Sequence, residues 1–398
     1  MSSLQIFDNV SSVISEMNPE NSILCFNPEK IHSRVSEFKD SFPGTVSWSI
    51  KSNPHPEVVR AIVEAGINEF DVASRSEIEQ MRYQCPSGIL HFNHPVKPLE
   101  EINFAYFTAG VKNFVVDSME EVEKITGVFQ RAAKGNYSDV SLLIRFLDPD
   151  LRGSDQYDFS VKFGAKPHEA AEIMRVCNNK GFLVGLTFHP GSQNGNIDYY
   201  TSMMAKAREI ADNAGVKEMV RLNVGGGFPC YYPNRSEPPL AQHFENIRKG
   251  AEQHGCQIIC EPGRALVSDS ISLLTRVNLR REHDQRIYIN DGFYGSFMEL
   301  PFVDFMPPAR AYNSDGTLMQ SSEDDLEDFV VWGPTCDSLD KIPKSVKLPS
   351  KIRTGDFIEF GLMGAYTNAT NTGFNGIESA DIVIVNQIQD WGPESYVE

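Results

Sequence analysis

The sequence predicts an α/β domain joined to an all-β domain, and two observations support this prediction. Between about residues 45 and 260, short β-like runs alternate with amphipathic helical stretches, as in a parallel sheet covered by helices. Beyond Arg264, β-rich segments are separated by Gly, Pro and Asp turns, and few long helical patterns occur. We therefore predict a (β/α)₈ barrel over residues 25–264, with an open doubly wound sheet as the alternative. An antiparallel β domain is predicted over residues 1–24 and 265–398.

The barrel prediction depends on a series of strand candidates separated by helices. Helical patterns such as PEVVRAIVEAG and SRSEIEQMRYQC have the apolar spacing of a helix packed on a sheet. Repeated strand–helix–strand units favour parallel pairing, and eight such units suffice to close a barrel. The strand candidates are TVSWSIK (45–51), INEFDV (67–72), GILHF (88–92), KNFVV (112–116), VSLLIRF (140–146), FLVGLTFH (182–189), EMVRLNV (218–224) and QIICE (257–261).

The β-rich segments of the second domain are shorter and more varied. They include DSISLLTRVNLRR, QRIYINDG, DFVVWGP and DFIEFGLMGAY. The polar stretch NSDGTLMQSSEDDLED (313–328) predicts an exposed loop between two of them. The N-terminal residues are expected to join this domain.

Composition and charge exclude several classes of protein. The chain has 398 residues, of which 41% are hydrophobic and 23% charged, so it is neither disordered nor fibrous. A net charge of -18 makes nucleic-acid or membrane binding a poor hypothesis, and no apolar run approaches the ~20 residues that cross a bilayer. We expect a cytoplasmic protein. The seven cysteines form no CxxC pair and no zinc spacing, so we expect neither disulfides nor a metal site.

Three features at the ends of predicted barrel strands form a candidate site. Lys51 ends the first strand, LNVGGGFP (222–229) follows the seventh, and CEPGRALV (260–267) follows the eighth. Barrel active sites lie at the C-terminal strand ends, and the loops after strands seven and eight frequently bind phosphate. Alone, Lys51 is better explained as a solvent-facing lysine, and the glycines equally well as a tight turn. Together, an imine-forming lysine, two phosphate loops and the strand-end acid Glu261 describe a pyridoxal phosphate site.

These motifs resemble those of a known family. SIKSNPHP, FDVASRSE, FHPGSQ, GGGFP, EPGR, NDGFYGSF, WGPTCDSLD and MGAYT occur in the order found in the ornithine/diaminopimelate decarboxylase group of pyridoxal phosphate enzymes. The resemblance extends from about residue 20 to the end of the chain. WGPTCDSLD with GAYT resembles the ornithine decarboxylase branch specifically.

The resemblance implies roles for the matched residues. Lys51 would hold the cofactor as a Schiff base until the substrate amine displaces it. Glu261 would keep the pyridine nitrogen protonated, whereas alanine racemases of similar barrel fold place an arginine there. His189 would lie against the ring face. The implied cofactor-binding residues are Lys51, Asp71, Glu77, Arg145, His189, Ser192, Gly225, Gly226, Gly227, Glu261, Gly263, Arg264 and Tyr366.

The resemblance also implies a homodimer with shared active sites. In the family, the cysteine at position 336 comes from the partner subunit and protonates the α-carbon after carbon dioxide leaves. A thiol suits this task because its ordinary pKa of about 8.5 lies near working pH. Asp337 would pair with the distal ammonium group of the substrate. Tyr294 and Phe374 are further expected to contact the substrate.

One stretch departs from the family pattern. Ornithine decarboxylases often carry a Tyr-Asp pair about eight residues beyond YGSF, on a short helix that sets substrate length. Here the stretch reads MELPFVDFMPP (298–308), so that Phe302 and Val303 occupy the two positions and Asp304 falls one place late. Pro301 is expected to reshape the helix. We include Asp304 among the candidate substrate-binding residues.

The predicted activity is pyridoxal phosphate-dependent decarboxylation of a basic L-amino acid. Ornithine, giving putrescine for polyamine biosynthesis, is the first candidate, and lysine, giving cadaverine, is the second. Arginine or another diamino acid stays open, whereas diaminopimelate is disfavoured because that branch usually has Glu after the cysteine. A non-catalytic regulator of a decarboxylase, as antizyme inhibitors are, is the alternative of another class. Such proteins tend to lose cofactor residues, whereas Lys51, Glu261, Arg264, Cys336 and Tyr366 are all present here.

Overall fold

The computed structural model describes residues 4–133, 137–154 and 159–392. Residues 1–3 and 393–398 of the predicted β domain therefore lie outside the described residues. The strands are β1 (Ile6–Phe7), β2 (Ile23–Phe26), β3 (Thr45–Ser49), β4 (Glu69–Val72), β5 (Ile89–Phe92), β6 (Asn113–Val116), β7 (Ser141–Arg145), β8 (Leu183–Thr187), β9 (Arg221–Asn223), β10 (Gln257–Cys260), β11 (Ile271–Arg280), β12 (Arg286–Ile289), β13 (Ala309–Tyr312), β14 (Leu326–Trp332), β15 (Val346–Pro349), β16 (Phe357–Phe360) and β17 (Asp381–Val385).

Helices cover the first group of strands and are sparse elsewhere. Local capping explains where several begin: Asn27 accepts a hydrogen bond from the Lys30 N–H at 3.3 Å, just before a helix with proline at its first turn. The helices are α1 (Val10–Met17), α2 (Pro28–Ser41), α3 (Pro56–Glu64), α4 (Arg75–Gln84), α5 (Leu99–Asn103), which continues as a π-helical turn (Phe104–Thr108), α6 (Met119–Ala133), α7 (Pro167–Asn179), α8 (Tyr199–Ala214), α9 (Leu240–Ala251) and α10 (Arg264–Val267).

Strands β3 to β10 form a closed parallel barrel in the order β10-β3-β4-β5-β6-β7-β8-β9. Each strand lies inside one of the runs that the sequence predicts, so the barrel prediction is confirmed and the open sheet is excluded. The ring closes where Ile259 pairs with Thr45 on one side and with Asn223 on the other. The C-terminal strand ends therefore converge at one mouth of the barrel.

A polar layer lies inside the barrel, toward the opposite end of the strands from that mouth. His91 contacts Glu69 at 2.8 Å, and Arg221 reaches His91 at 3.2 Å and Asn113 at 3.0 Å. These four side chains come from β4, β5, β6 and β9, so they tie distant parts of the ring together. Burial of such groups is tolerated because most of their polar atoms pair with one another, although Arg221 Nε has no partner among the described residues.

The remaining strands form a second sheet in the order β1-β17-β2-β11-β12-β14-β15, with β16 pairing with both β11 and β13. Most neighbours run antiparallel, as predicted, but β1–β17, β17–β2 and β12–β14 are parallel, so the sheet is mixed. In two of these parallel pairs, N-terminal strands β1 and β2 flank the C-terminal strand β17, whereas β12 and β14 both follow the barrel in the sequence. The polar stretch 313–328 lies between β13 and β14, which begins at Leu326.

The β domain packs directly on the loop that carries Lys51. The Tyr366 N–H donates to the Ser52 carbonyl at 2.7 Å, and the Asn53 side chain donates to the Gly364 carbonyl at 2.8 Å. Asn368 also donates to Asn53 at 2.9 Å. These bonds fix the segment 364–368 at the mouth of the barrel. Within the described ranges, every helix is too short or too polar to span a bilayer.

Candidate active site

Lys51 lies at the barrel mouth, held by an aspartate from the next strand. It belongs to a 3₁₀ turn, Ile50–Ser52, that follows β3 directly. Its Nζ lies 3.2 Å from Asp71 Oδ2, and the same oxygen accepts a hydrogen bond from Ser49 Oγ at 2.6 Å. The negative charge of Asp71 raises the pKa of the Lys51 ammonium above its ordinary value. The lysine is half-exposed, while Asp71 is buried.

Glu77 lies close to this pair, at the start of α4. Its carboxylate accepts a hydrogen bond from the Ala73 N–H at 2.6 Å, and Ser74 caps the same helix by accepting from the Glu77 N–H. Burial raises the pKa of Glu77 to about 7, with a smaller contribution from the charge of Asp71. Glu77 is thus a half-buried acid near the candidate lysine.

Glu261, at the end of β10, is held by two amides that the sequence did not single out. Its Oε1 accepts hydrogen bonds from the side chains of Asn93 and Asn223. Burial and the charge of Asp71 raise the pKa of Glu261 to about 8. Its other oxygen, Oε2, takes no hydrogen bond from the described residues. Their positions in the sequence could have identified them, because Asn93 follows one predicted strand and Asn223 lies at the end of another.

The glycine run packs between two neighbouring loops. A Cβ on Gly225, Gly226 or Gly227 would lie 2.5 Å or less from a backbone carbonyl oxygen, so a larger residue does not fit at any of them. Gly225 and Gly227 have φ of 74° and 79°, which favours glycine. The Gly225 N–H donates to Asn223 Oδ1 at 2.9 Å, whereas the N–H groups of Gly226 and Gly227 find no acceptor within the described part of the chain.

The loop after β10 brings Gly263 and Arg264 to the junction with the β domain. Gly263 approaches Ser52 closely, since a Cβ there would meet the Ser52 Cβ at 3.1 Å. Arg264 is buried, with its guanidinium between the rings of Phe305 and Tyr366 at 4.8 and 4.9 Å. Its Nη1 and Nη2 contact other side chains, whereas the buried Nε has no partner among the residues that the structure describes.

His189, Ser192 and Arg145 surround the mouth on the side of β7 and β8. His189 Nδ1 accepts a hydrogen bond from the Gly191 N–H at 3.1 Å, and burial lowers the pKa of its ring well below the ordinary value. A neutral imidazole suits contact with an aromatic ring. The Ser192 carbonyl accepts a hydrogen bond from Ser154 at 2.5 Å. Arg145 lies over the ring of Phe163 at 5.3 Å.

A cleft of about 380 Å³ opens above Lys51. Its walls combine barrel residues with two segments of the second domain. One contains Tyr366 and Thr370, and the other, 298–302, ends in a 3₁₀ turn (Leu300–Phe302) containing Pro301. Met298, Glu299 and Thr370 line the cleft although the sequence did not single them out, and Phe302 was expected in this stretch only by alignment. The lining residues are Lys51, Ser192, Met298, Glu299, Phe302, Tyr366 and Thr370.

Asp304 does not line the Lys51 cleft, which departs from its expected role in setting substrate length. Its side chain is 73% exposed and pairs with Lys344, whose ammonium lies 3.0 Å from Asp304 Oδ1. A hydrogen bond from Lys344 lowers the pKa of this carboxyl. The physical reason is the 3₁₀ turn, which directs Phe302 to the cleft and leaves the residue two places later facing solvent.

The other predicted substrate residues form a second group on the exposed edge of the β domain. Tyr294 donates a hydrogen bond to Asp337 Oδ2 at 2.6 Å, and its ring lies 4.5 Å from that of Phe374. Cys336 is exposed, and its Sγ lies 3.5 Å from Asn375 Oδ1. The hydrogen bond from Tyr294 lowers the pKa of Asp337. None of these residues lines the Lys51 cleft of the same chain.

The donors of the barrel mouth fit pyridoxal phosphate. Unpaired N–H groups of Gly226 and Gly227 and the orphaned Nε of buried Arg264 suit a phosphate, and Glu261 offers a free carboxylate oxygen to a ring N–H. Lys51 is the amine that an aldehyde requires. Among the described residues, no group of three or more His, Cys, Asp and Glu side chains is arranged to hold a metal.

Comparison with known proteins agrees with this geometry. Residues 28–268 match the family described as the pyridoxal-dependent decarboxylase, pyridoxal binding domain. Chloroplastic ornithine decarboxylase of Nicotiana glutinosa is 30% identical over 374 residues, which are 89% of this chain and 81% of that protein. Antizyme inhibitor 2 of Xenopus laevis is also 30% identical, over 364 residues covering 84% and 74% of the two chains.

A solved structure extends the likeness to the whole fold. The lysine/ornithine decarboxylase of Vibrio vulnificus, complexed with putrescine, superposes with a TM-score of 0.78 at 29% identity. The match covers 94% of this chain and 97% of that one, so it includes both the barrel and the β domain. The chain therefore belongs to the pyridoxal-dependent decarboxylase family, and it is an amino-acid decarboxylase that uses pyridoxal 5′-phosphate.

Proposed function

We propose that this enzyme decarboxylates a basic L-amino acid, with L-ornithine the preferred substrate and L-lysine the second. The proposal depends on one observation: Asp337 follows Cys336, whose thiol is exposed, and Tyr294 holds the Asp337 carboxylate by a hydrogen bond. A carboxylate selects a cationic side chain by direct pairing. The names of the relatives, an ornithine decarboxylase and a lysine/ornithine decarboxylase, support the same substrate class.

We also propose that the enzyme is a cytoplasmic homodimer whose active sites are shared. The Lys51 cleft and the group formed by Tyr294, Cys336, Asp337 and Phe374 are separate within one chain. Segment 366–374 connects them, because Tyr366 and Thr370 line the cleft and the Thr372 N–H donates to the Tyr294 carbonyl at 3.0 Å. This connection supports the proposal that a second copy of the chain completes each site.

The chain's own residues have defined tasks in this proposal. When bound, pyridoxal phosphate supplies an electron sink for the carbon–carbon bond that breaks. Lys51 would hold the cofactor's aldehyde carbon until the substrate amine displaces it. Glu261 would hold a proton at the pyridine nitrogen through its free Oε2, since Asn93 and Asn223 occupy Oε1.

The remaining residues position the cofactor and handle the last proton. Ser192, Gly226, Gly227, Arg264 and Tyr366 would hold the phosphate, and His189 would cover one face of the ring. Carbon dioxide takes no proton as it leaves, so the α-carbon must gain one. The thiol of Cys336 of the partner subunit would donate it. Met298 and Phe302 give the cleft apolar walls that suit the methylene chain of a diamino acid.

The direct test is carbon dioxide release by the cofactor-loaded enzyme from L-ornithine, L-lysine, L-arginine, L-2,4-diaminobutyrate and meso-diaminopimelate at equal concentration. We expect the highest kcat/KM for ornithine and the next for lysine. Asp337→Asn should lower kcat/KM for the preferred substrate by about 10- to 100-fold through the lost charged pairing. Asp324→Asn, at an exposed acid of the β domain, is the charge-matched control. If none of the five substrates released carbon dioxide while the cofactor was bound, this result would contradict the proposed substrate class.

A second candidate function, in addition to decarboxylation, is regulation of another decarboxylase, because antizyme inhibitor 2 and the plant enzyme are both 30% identical to this chain. Lys51, Glu261 and Cys336 are nevertheless present, which favours catalysis. Mixing this chain with an active ornithine decarboxylase distinguishes the two. A regulator forms hybrid dimers that change the activity of the other enzyme, whereas we expect neither hybrid dimers nor altered turnover.

A further inference from the structure

The guanidinium of Arg264 already has an anionic partner. Its Nη2 contacts Glu299 Oε1, and its Nη1 donates to the Tyr232 hydroxyl at 3.1 Å. The side chains are 5% and 13% exposed for Arg264 and Glu299, so the pair lies out of bulk water. The flanking rings of Phe305 and Tyr366 fix the plane of the guanidinium. Arg264 therefore cannot turn freely toward a second anion.

Glu299 contacts Arg264 and also faces the cofactor cleft. It is a lining residue of the Lys51 cleft together with Ser192 and Tyr366, two of the residues expected to bind phosphate. A carboxylate in this place repels a phosphate and neutralises the charge of the guanidinium through Nη2, although Nε is left for the phosphate. Because both groups are shielded from water, the competition is stronger than it would be on the surface.

We propose that Glu299 is an internal anion that competes with the cofactor phosphate for Arg264 and so weakens the affinity of the enzyme for pyridoxal phosphate. Glu299 is in this view a positioning residue that acts through Arg264. The inference rests on the cofactor and not on the proposed substrate. A failure of the substrate panel would therefore leave it untouched.

The test is an equilibrium titration of the cofactor-free protein with pyridoxal phosphate and, separately, with pyridoxal, which lacks the phosphate. Glu299→Gln keeps the size of the side chain and removes its charge. We expect it to bind pyridoxal phosphate about tenfold more tightly than the wild type, with unchanged affinity for pyridoxal. Glu282→Gln, at an exposed acid in the turn between β11 and β12, changes net charge equally and should alter neither affinity.

A double-substitution cycle separates competition from a merely structural role. In an Arg264→Gln background, Glu299→Gln should improve pyridoxal phosphate binding by much less than in the wild-type background, because only the direct repulsion between Glu299 and the phosphate is then removed; an equal gain in both backgrounds would overturn the competition for Arg264. If Arg264→Gln does not fold, Glu299→Asp, which withdraws the carboxylate by one methylene, should give a smaller gain than Glu299→Gln. Equal or weaker binding of pyridoxal phosphate by folded Glu299→Gln would overturn the proposal. An equal gain for pyridoxal would also overturn it.

Discussion

Lys51 Nζ lies 3.2 Å from Asp71 Oδ2, so the ends of two neighbouring barrel strands hold the candidate lysine as an ion pair. A protonated amine is not a nucleophile, and the charge of Asp71 raises the pKa of Lys51. Lys51 must therefore give up its extra proton before its amine can attack an aldehyde. Asp71 also accepts from Ser49, which keeps it in place when the lysine charge is lost.

Lys51→Ala should abolish nearly all turnover, by at least about 10³-fold, because no other residue lining the cleft carries a primary amine. The visible absorbance of lysine-linked cofactor should disappear, while noncovalent binding of the cofactor is retained. Absorbance spectra and carbon dioxide release measure the two effects. Lys347→Ala, at an exposed position in β15, is the matched control. An active Lys51→Ala protein would contradict the assigned role.

Two inactive variants, Lys51→Ala and Cys336→Ala, should regain activity when they are mixed, if the active sites are shared between subunits. In a dimer of either variant alone, every site lacks Lys51 or Cys336. A mixed dimer has one site that contains both residues. Equal mixing with free exchange of subunits should recover about one quarter of wild-type activity. The measurement is turnover before and after mixing. No recovery despite hybrid dimers, detected by mass, would mean that both residues act within one chain.

Glu261→Gln should lower kcat by about 10²- to 10³-fold, because a neutral amide does not hold a proton at the ring nitrogen. The cofactor should still bind, since Lys51 and the phosphate donors are intact. Substitution of Asn223 by Ala should produce a milder loss, as Oε1 of Glu261 keeps its bond from Asn93. Equal kcat in wild type and Glu261→Gln would refute the role of this carboxylate.

Glu77→Gln should stabilise the cofactor-free protein at high pH more than at low pH. Folding raises the pKa of Glu77 from about 4.5 to about 7, so its stabilising protonation is fully present below pH 4.5 and is lost as the pH rises through 7. The amide still accepts the Ala73 N–H. We expect a gain on the order of 1–3 kcal/mol at pH 8.5 and little at pH 4.5. Thermal unfolding at the two pH values measures it, and a pH-independent difference would contradict the expectation.

Gly226→Ala should prevent tight cofactor binding. Its Cβ would lie 2.5 Å from the Glu261 carbonyl oxygen and 3.2 Å from His189 Nε2, so the glycine run must shift away from both. We expect destabilisation of about 1–3 kcal/mol and weaker binding in a cofactor titration. Gly127→Ala, in helix α6 where nothing lies within 4 Å of the new Cβ, should instead be neutral or stabilising. Wild-type affinity in Gly226→Ala would show that the loop adapts.

The local pattern of the sequence determined the secondary structure and the main chemical groups of the site. The spacing of apolar residues and the positions of turn residues indicated the barrel strands. Lys51 and Glu261 follow the ends of such strands, and these ends meet at one mouth in any closed parallel barrel. The parallel pairs β1–β17 and β17–β2 of the second sheet were not predictable, because they depend on how the two ends of the chain meet. Resemblance, and not local pattern, supplied the role of Cys336.

Only the tertiary structure decided which side chains share a partner. Asn93 and Asn223 lie 130 residues apart and meet at Glu261 because the barrel closes. Glu299 contacts Arg264 and Asp304 turns to Lys344 because one 3₁₀ turn sets the direction of each side chain in that stretch. Sequence patterns fix the element in which a residue lies, since they reflect local backbone energetics. The partner of a side chain across the fold depends on long-range packing, which no local pattern encodes.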